Sequence, residues 1–218
     1  MGLAARITRR FVGAYDADSV SARSRQRRWE LLRETFPDIG EMRVLDVGGV
    51  AQSWLLAGVR PAHLTLLNVE PPDATEPWME AVVGDACDPP DGLGEFDLVY
   101  SNSVIEHVGG HWRRERYAAF VRAAAPRYWV QTPYRYFPLE PHFLFPALQH
   151  LPLAAQGRLV ALWPLGNDAE TRRLDDALRN AMDIELLSKT QLRWYFPDAE
   201  LVPERIGPLV KSWIAIRR

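Results

Sequence analysis

Cysteine and long apolar runs are what this sequence most clearly lacks. Cys87 is the only cysteine, so the chain forms no intrachain disulfide, and we expect a reducing compartment. No uninterrupted apolar run reaches the roughly 18–20 residues of a membrane span, and the first residues lack the apolar stretch of a secretory signal. We therefore predict a cytoplasmic protein without a membrane-spanning helix.

A large net charge of either sign is also missing. The formal net charge of −2 argues against binding of nucleic acid or of an anionic membrane by the protein as a whole. Arginines are nevertheless concentrated in the first 36 residues, at positions 6, 9, 10, 23, 25, 27, 28 and 33. This concentration indicates either a solvated helix face with a loose terminus or an arm that meets an acidic partner. The pattern gives no indication of the oligomeric state.

Short apolar runs typical of buried strands alternate with longer helical segments. Strands are predicted at 42–47, 64–69, 81–84, 96–100 and 128–131. Helices are predicted at 19–36, 53–58, 112–125, 168–181 and 190–195. Two alternating runs at 199–206 and 209–216, separated by Gly207 and Pro208, predict an antiparallel hairpin. The sequence therefore predicts an α/β fold with a Rossmann-like, seven-stranded, mostly parallel sheet, helices on both faces and a C-terminal antiparallel hairpin.

The chain is expected to divide into a helical N-terminal extension, residues 1–40, and one α/β domain, residues 41–218. Within the domain, residues 133–164 contain six prolines and several aromatic residues. Because proline interrupts helices, this segment cannot be one regular helix. We predict a lid or substrate loop with short helices. Its aromatic residues include Tyr134, Tyr136, Phe137 and Phe143. They either line a ligand pocket or pack the lid.

Glycine and polar residues follow the first two predicted strands, where open α/β sheets bind ligands. Asp46, Gly48 and Gly49 follow the first strand. Glycines let the backbone approach a ligand, and the next helix offers free N–H groups. Asn68 and Glu70 end the second strand, close to the roughly 20-residue spacing at which an acidic residue meets ribose hydroxyls. Either side chain is a candidate for binding such a diol.

The third and fourth strands end in further polar residues. Asp85 and Ala86 follow the third strand. The Asp85 carboxylate either accepts a hydrogen bond from an exocyclic amine such as that of adenine or caps the next turn. Ser101 and Asn102 end the fourth strand, and small polar residues suit a site that needs backbone contact with its ligand.

Together these strand ends resemble the class I S-adenosylmethionine (SAM)-dependent methyltransferase superfamily. VLDVGG resembles its first motif, LLNVE its second, VVGDAC its third, and FDLVYSNSVIEHV the strand and helix that follow. The run WVQTPYRYFPLEPHFLFP and the ending FPDAELVPERIGPLVKSWIA are similar to a bacterial, type 11-like subfamily. The resemblance covers roughly residues 41–218. It implies SAM as cofactor, S-adenosylhomocysteine as product, and cofactor contacts from Asp46, Gly48, Gly49, Asn68, Glu70, Asp85, Ala86, Ser101 and Asn102.

The resemblance also implies methyl transfer to oxygen or nitrogen of a small molecule, such as a glycan or secondary-metabolite intermediate. A sulfonium methyl is already activated, so the enzyme mainly aligns the acceptor and supplies a base where the acceptor carries a proton. The candidate bases are His107, Glu140 and His142, each with a helix-capping or loop-packing role as its alternative. These three residues also form a reasonable metal-ligand set. Nothing in their spacing requires an ion, and no metal ligand is assigned.

Two other functions stay open. The superfamily usually has further glycines where this chain has Val50 and Gln52, and an acid where it has Asn68. These differences favour a catalytically degenerate SAM-binding or scaffold protein. An NAD-dependent oxidoreductase is disfavoured, because the chain lacks the G-x-G-x-x-G spacing and ends in a hairpin.

Overall fold

Seven strands form one sheet in the computed structural model, which describes residues 20–74, 76–163 and 173–218. In chain order the strands are β1 (Arg43–Val47), β2 (His63–Asn68), β3 (Met79–Val83), β4 (Leu98–Asn102), β5 (Arg127–Pro133), β6 (Leu139–Glu140), β7 (Phe145–Pro146), β8 (Glu200–Ile206) and β9 (Leu209–Arg217). The order across the main sheet is β3-β2-β1-β4-β5-β9-β8, while β6 and β7 form a separate small hairpin.

The first five strands are parallel, and only β9 runs against its neighbours. β1 pairs in parallel with β2 and β4, and the parallel pairing continues to β3 and β5. β9 is antiparallel to both β5 and β8, so it lies between them with reversed direction. Gly207, at a φ of +56°, lies in the short turn that joins β8 to β9. The predicted α/β fold with its terminal hairpin is therefore confirmed.

Six α-helices lie within the described residues. They are α1 (Val20–Thr35), α2 (Ala51–Ala57), α3 (His111–Ala124), α4 (Leu153–Leu162), α5 (Leu174–Met182) and α6 (Lys189–Tyr195), with 3-10 turns at Ile39–Glu41 and Leu148–His150. The start of the helix predicted at 168–181 falls outside the described residues. None of the described helices is long and apolar enough to cross a membrane.

Helices cover both faces of the sheet because successive strand side chains point to opposite sides. On β1, Val44 packs in the core beneath α1 and α2, whereas Leu45 packs in the core beneath α3 and α6. A third, smaller core forms inside the segment from 133 to 182, around Phe143, Leu148, Val160 and Ala177. Within the predicted loop, residues 133–163 are irregular with short helical elements, as the prolines predict. Its role as a lid stays a prediction.

Helix α1 is part of the main core. Its apolar positions Trp29 and Leu32, and Phe36 directly after its end, continue one helical spacing and are buried against the sheet, and Pro37 follows. The predicted boundary at residue 40 stays a prediction, but packing joins the helix before it to the domain after it. Arg6, Arg9 and Arg10 lie outside the described residues.

We expect Leu32→Ala to lower the free energy of unfolding by about 2–5 kcal/mol, because Leu32 is fully buried. Leu56→Ala is the matched control, since Leu56 on α2 is 63% exposed, and it should cost about 0.5 kcal/mol or less. Urea unfolding of both variants measures the difference. Equal, small losses would show that α1 is an appendage rather than part of the core.

Candidate functional site

The turn after β1 is built around the buried Asp46 carboxylate. Trp54 on α2 donates its indole N–H to Asp46 Oδ2 at 2.7 Å. A Cβ on Gly49 would lie 1.7 Å from that same oxygen. Gly48 has a φ of +74°, and a Cβ there would lie 2.4 Å from the Val104 side chain. Both glycines are therefore required by the packing of the turn itself.

Asp46 stabilises the turn with one carboxylate oxygen, while the other oxygen has no partner among the described residues. Its Oδ1 atom is buried and has no hydrogen-bond partner among the described residues. Burial raises the pKa of Asp46 to about 7, although the hydrogen bond from Trp54 acts in the opposite direction. A buried, unpartnered oxygen beside a glycine turn suits a further donor, such as a ligand ammonium.

The residue ending β2 adjoins this turn, whereas its neighbour two positions later points to solvent. Asn68 donates from Nδ2 to the Gly49 carbonyl at 3.4 Å, which is at the long end of the hydrogen-bond range. Glu70 is exposed. Of the two candidates for a ribose diol, Asn68 therefore lies against the glycine turn.

Asp85 has partners of its own after β3. Its Oδ1 accepts from the Cys87 backbone N–H at 2.8 Å, and its Oδ2 accepts from Arg113 of α3 at 2.6 Å. Partial burial raises its pKa, but these hydrogen bonds and the Arg113 charge outweigh it, so the net shift is downward. The turn-capping role is thus present, Ala86 is buried beside it, and the adenine contact stays a prediction.

The polar side chains ending β4 are bound within the fold. The buried Ser101 hydroxyl donates to the Val47 carbonyl at 3.0 Å and accepts from Tyr117 at 2.7 Å. The Asn102 carbonyl oxygen accepts from Arg28 of α1. Any ligand contact at this strand end is therefore expected from the backbone, in line with the small residues there.

A cluster of two histidines and two glutamates lies beyond β4 and β5. It consists of Glu106 and His107 on the turn before α3, and Glu140 and His142 on the hairpin of β6 and β7; we term it the histidine cluster. The His107 and His142 rings meet edge to face, with centroids 5.0 Å apart. His142 Nδ1 lies 2.7 Å from Glu140 Oε1. The structure thus brings together all three residues predicted as candidate bases.

Backbone contacts hold the two halves of the cluster in place. Ser103 adopts a φ of +56°, and both its N–H and its hydroxyl donate to Gln131 of β5, each at 2.9 Å. This sharp turn leads into Glu106, whose carbonyl accepts from the Glu185 N–H at 2.9 Å. On the other side, Glu140 Oε2 accepts from the Phe143 N–H at 2.7 Å.

Glu106 is the member that sequence reasoning did not single out. It is 1% exposed; its Oε2 accepts from the Thr132 hydroxyl at 2.9 Å, and its Oε1 has no partner within the described ranges. Burial raises its pKa to about 7 against the influence of hydrogen bonds and of His142. Burial and His142 also lower the pKa of His107. The available sequence signal is a glutamate between a buried isoleucine and a candidate histidine just after a strand.

The aromatic residues of the 133–164 segment divide between the two predicted roles. Phe143 lines a cavity of about 370 Å³ together with Glu140 and Arg135. Tyr134 and Tyr136 pack edge to face on each other, with centroids 5.5 Å apart. Pocket lining and ring packing within the segment are therefore both present, and the lid itself stays a prediction.

No protein-family model matches the chain, and no curated protein matches its sequence. Solved structures do match its fold. The methyltransferase domain of bacterial CtHen1-CN gives a TM-score of 0.55 at 9% identity, covering 88% of this chain and 98% of that one. A SAM-dependent methyltransferase from Mesorhizobium loti gives 0.54 at 15% identity, with 87% and 97% covered. The 1,6-didemethyltoxoflavin-N1-methyltransferase of Burkholderia thailandensis gives 0.54 at 14% identity, with 99% and 86% covered.

At these identities the similarity establishes the fold, and that fold is the Rossmann-like fold of class I SAM-dependent methyltransferases. The neighbour from Burkholderia thailandensis was solved with S-adenosylhomocysteine bound. The finer resemblance to a type 11-like bacterial subfamily stays a prediction.

We expect the stability of the wild-type protein, relative to Asp46→Asn, to fall as the pH rises from about 4 to about 7. The folded-state pKa of about 7 lies above the roughly 3.9 of an unfolded aspartate, so over this window the folded state retains a proton that the unfolded state releases. The asparagine still accepts from Trp54 but does not ionise.

Urea unfolding at pH 4.5, 5.5, 6.5 and 7.5 measures this difference. Asp91→Asn, at an exposed position, reports the general effect of removing an acidic side chain. A constant difference between wild type and Asp46→Asn across these pH values would contradict the raised pKa.

Proposed function

We propose that this protein is a SAM-dependent methyltransferase that methylates an oxygen or nitrogen atom of a small molecule. The observation that carries the proposal is the adjacency of the glycine turn and the histidine cluster at one edge of the sheet. Val104 packs against Gly48, and Glu106 follows two residues later. A methyl-donor cradle and a group able to take a proton from an acceptor thus lie next to each other.

The residues around the β1 turn fit the methyl donor. Gly48 and Gly49 are partly exposed, Asn68 offers an amide beside them, and Asp46 Oδ1 is an acceptor without a partner in the described part of the chain. An amide binds a diol without charge assistance, so its contribution is smaller than that of a carboxylate. The fold neighbours that bind S-adenosylhomocysteine support this assignment.

The histidine cluster fits activation of the acceptor. Bound SAM supplies a methyl group that is already activated, so the protein has to align the acceptor, exclude water and withdraw its proton. Glu140 fixes the ring orientation and tautomer of His142 through their 2.7 Å contact. The cavity lined by Glu140 and Phe143 lies beside this pair. A neighbour of the same fold holds the small molecule 1,6-didemethyltoxoflavin, which supports an acceptor of that size.

We expect Asn68→Ala to weaken SAM and S-adenosylhomocysteine binding about tenfold, the loss of one hydrogen bond. Glu70→Ala should leave both dissociation constants within about twofold, because Glu70 is exposed. Isothermal calorimetry of the full chain provides the measurement, with NAD as a ligand that should not bind. Asp73→Ala, at an exposed position on the same connection, is the control.

The reverse result, with Glu70→Ala weakening binding and Asn68→Ala not, would move the diol to Glu70. Absence of binding to either adenosyl ligand by the wild-type protein would remove the proposed function.

We expect His142→Ala to lower turnover by about 100-fold or more, the range of general acid–base effects, while the SAM dissociation constant stays within about twofold. Release of S-adenosylhomocysteine with an acceptor found in a small-molecule screen measures turnover. His63→Ala is the control and should retain activity, because His63 begins β2 at the opposite end of that strand from Asn68. Full activity of His142→Ala would place the cluster outside the reaction.

A further inference from the structure

We propose that Glu106, His107 and His142 bind a divalent transition-metal cation. Each offers one ligand atom, and these three atoms lie within 4.8 Å of one another. Two imidazoles with one carboxylate are the donor set of open, non-haem metal sites, and they favour Mn²⁺, Fe²⁺, Co²⁺ or Zn²⁺ over Mg²⁺ and Ca²⁺, which prefer oxygen ligands. The set differs from the one suggested by sequence, because Glu106 takes the place of Glu140.

The spacing is close to that of a bound ion. Ligand atoms about 2.0–2.2 Å from one metal lie roughly 3.0–3.5 Å from each other in tetrahedral or octahedral arrangements. Closure from 4.8 Å to this spacing needs roughly 1.3–1.8 Å of movement, which is within the range of a side-chain rotation. His107 is the exposed member of the three, so its ring has room to turn.

Glu106 supplies an independent sign of a ligand. Its carboxylate is buried, Thr132 satisfies only Oε2, and Oε1 has no hydrogen-bond partner among the described residues. A buried carboxylate oxygen without a partner is costly, and coordination to a cation removes that cost. The oxygen without a partner therefore belongs to one of the three proposed ligand residues.

His142 carries the second hydrogen bond that metal-ligating imidazoles usually have. His142 meets the buried Glu140 carboxylate through Nδ1, and Glu140 is itself fixed by the Phe143 N–H. Glu140 is thus a positioning residue that orients His142.

Three protein ligands leave coordination positions open for water or substrate. The role of such an ion rests on the proposed function and changes the part of His142 in it from base to ligand: the ion would hold the acceptor hydroxyl and lower its pKa, so that the proton leaves to water. The oxygen lone pair then forms the O–CH₃ bond while the C–S bond breaks and its electron pair stays on sulfur. Metal binding itself does not depend on that role.

The test uses the untagged full chain, stripped with chelator and titrated with Co²⁺, Mn²⁺, Zn²⁺ and Mg²⁺. We expect one equivalent of Co²⁺ to bind with visible d–d absorption, displaced by Zn²⁺ and not by Mg²⁺. Glu106→Gln, which keeps its size and its acceptor for Thr132, should abolish this signal, as should His142→Ala. Glu140→Gln should weaken binding about 10–100-fold, and His63→Ala should leave it unchanged.

Urea midpoints of each variant separate lost binding from lost folding. Absence of a stoichiometric Co²⁺ signal in the wild-type protein, or an unchanged signal in Glu106→Gln, overturns the metal site. Titration of the same samples with SAM separates the two proposals. SAM binding without metal binding removes the metal site alone, whereas metal binding without SAM binding removes the proposed function and leaves the site.

Discussion

The hydrogen bond from Trp54 to the buried Asp46 carboxylate joins the glycine turn of β1 to the aromatic packing beneath α1. Trp54 meets Trp29 and Tyr100 edge to face, with centroids 5.0 and 5.2 Å away, and Trp29 stacks on Tyr100 at 5.3 Å. Burying a carboxylate is costly, and the indole N–H offsets part of that cost. The position of α1 and the shape of the turn therefore depend on the same contact.

Helix α1 extends this constraint to the terminal hairpin. Arg28, one residue before Trp29, is buried and meets Glu204 of β8 with two nitrogens, at 2.9 and 2.8 Å. Its third nitrogen donates to Asn102 at the end of β4. Because bidentate arginine–carboxylate pairs are both strong and directional, α1 fixes the terminal hairpin relative to the central strands. One of the eight arginines that look like a surface feature in the sequence is thus an internal bridge.

The elements of the fold follow from periodicity, and their side-chain roles only in part. The run that forms β1 and the break at Gly207 and Pro208 predict the sheet and its hairpin, and the structure confirms both. The meeting of His107 with His142 was predictable as well, because both regions follow neighbouring strands. What the sequence cannot predict is which polar side chains point into the core. Ser101 at the end of β4 turns its hydroxyl into the core toward Tyr117, a contact that depends on how α3 packs.

The burial of Glu106 could not be predicted from the sequence either. Its burial depends on the register of β4 with β5, which aligns Asn102 with Gln131 and so places Thr132 beside the turn that carries Glu106. No spacing along the chain encodes that register, since Asn102 and Gln131 lie far apart in the sequence. Only the pairing between β4 and β5 shows that this glutamate is buried and that just one of its carboxylate oxygens has a hydrogen-bond partner among the described residues.

The histidine cluster is assembled from two separate segments, so its completion depends on the position of the β6–β7 hairpin. Glu106 and His107 come from the turn before α3, Glu140 and His142 come from the β6–β7 hairpin, and Glu185, after α5, donates its N–H to the Glu106 carbonyl. Movement of the hairpin alone would separate His142 from the other two residues. Under the proposed function, the position that excludes water from the methyl-transfer step is therefore also the position that completes the group acting on the acceptor.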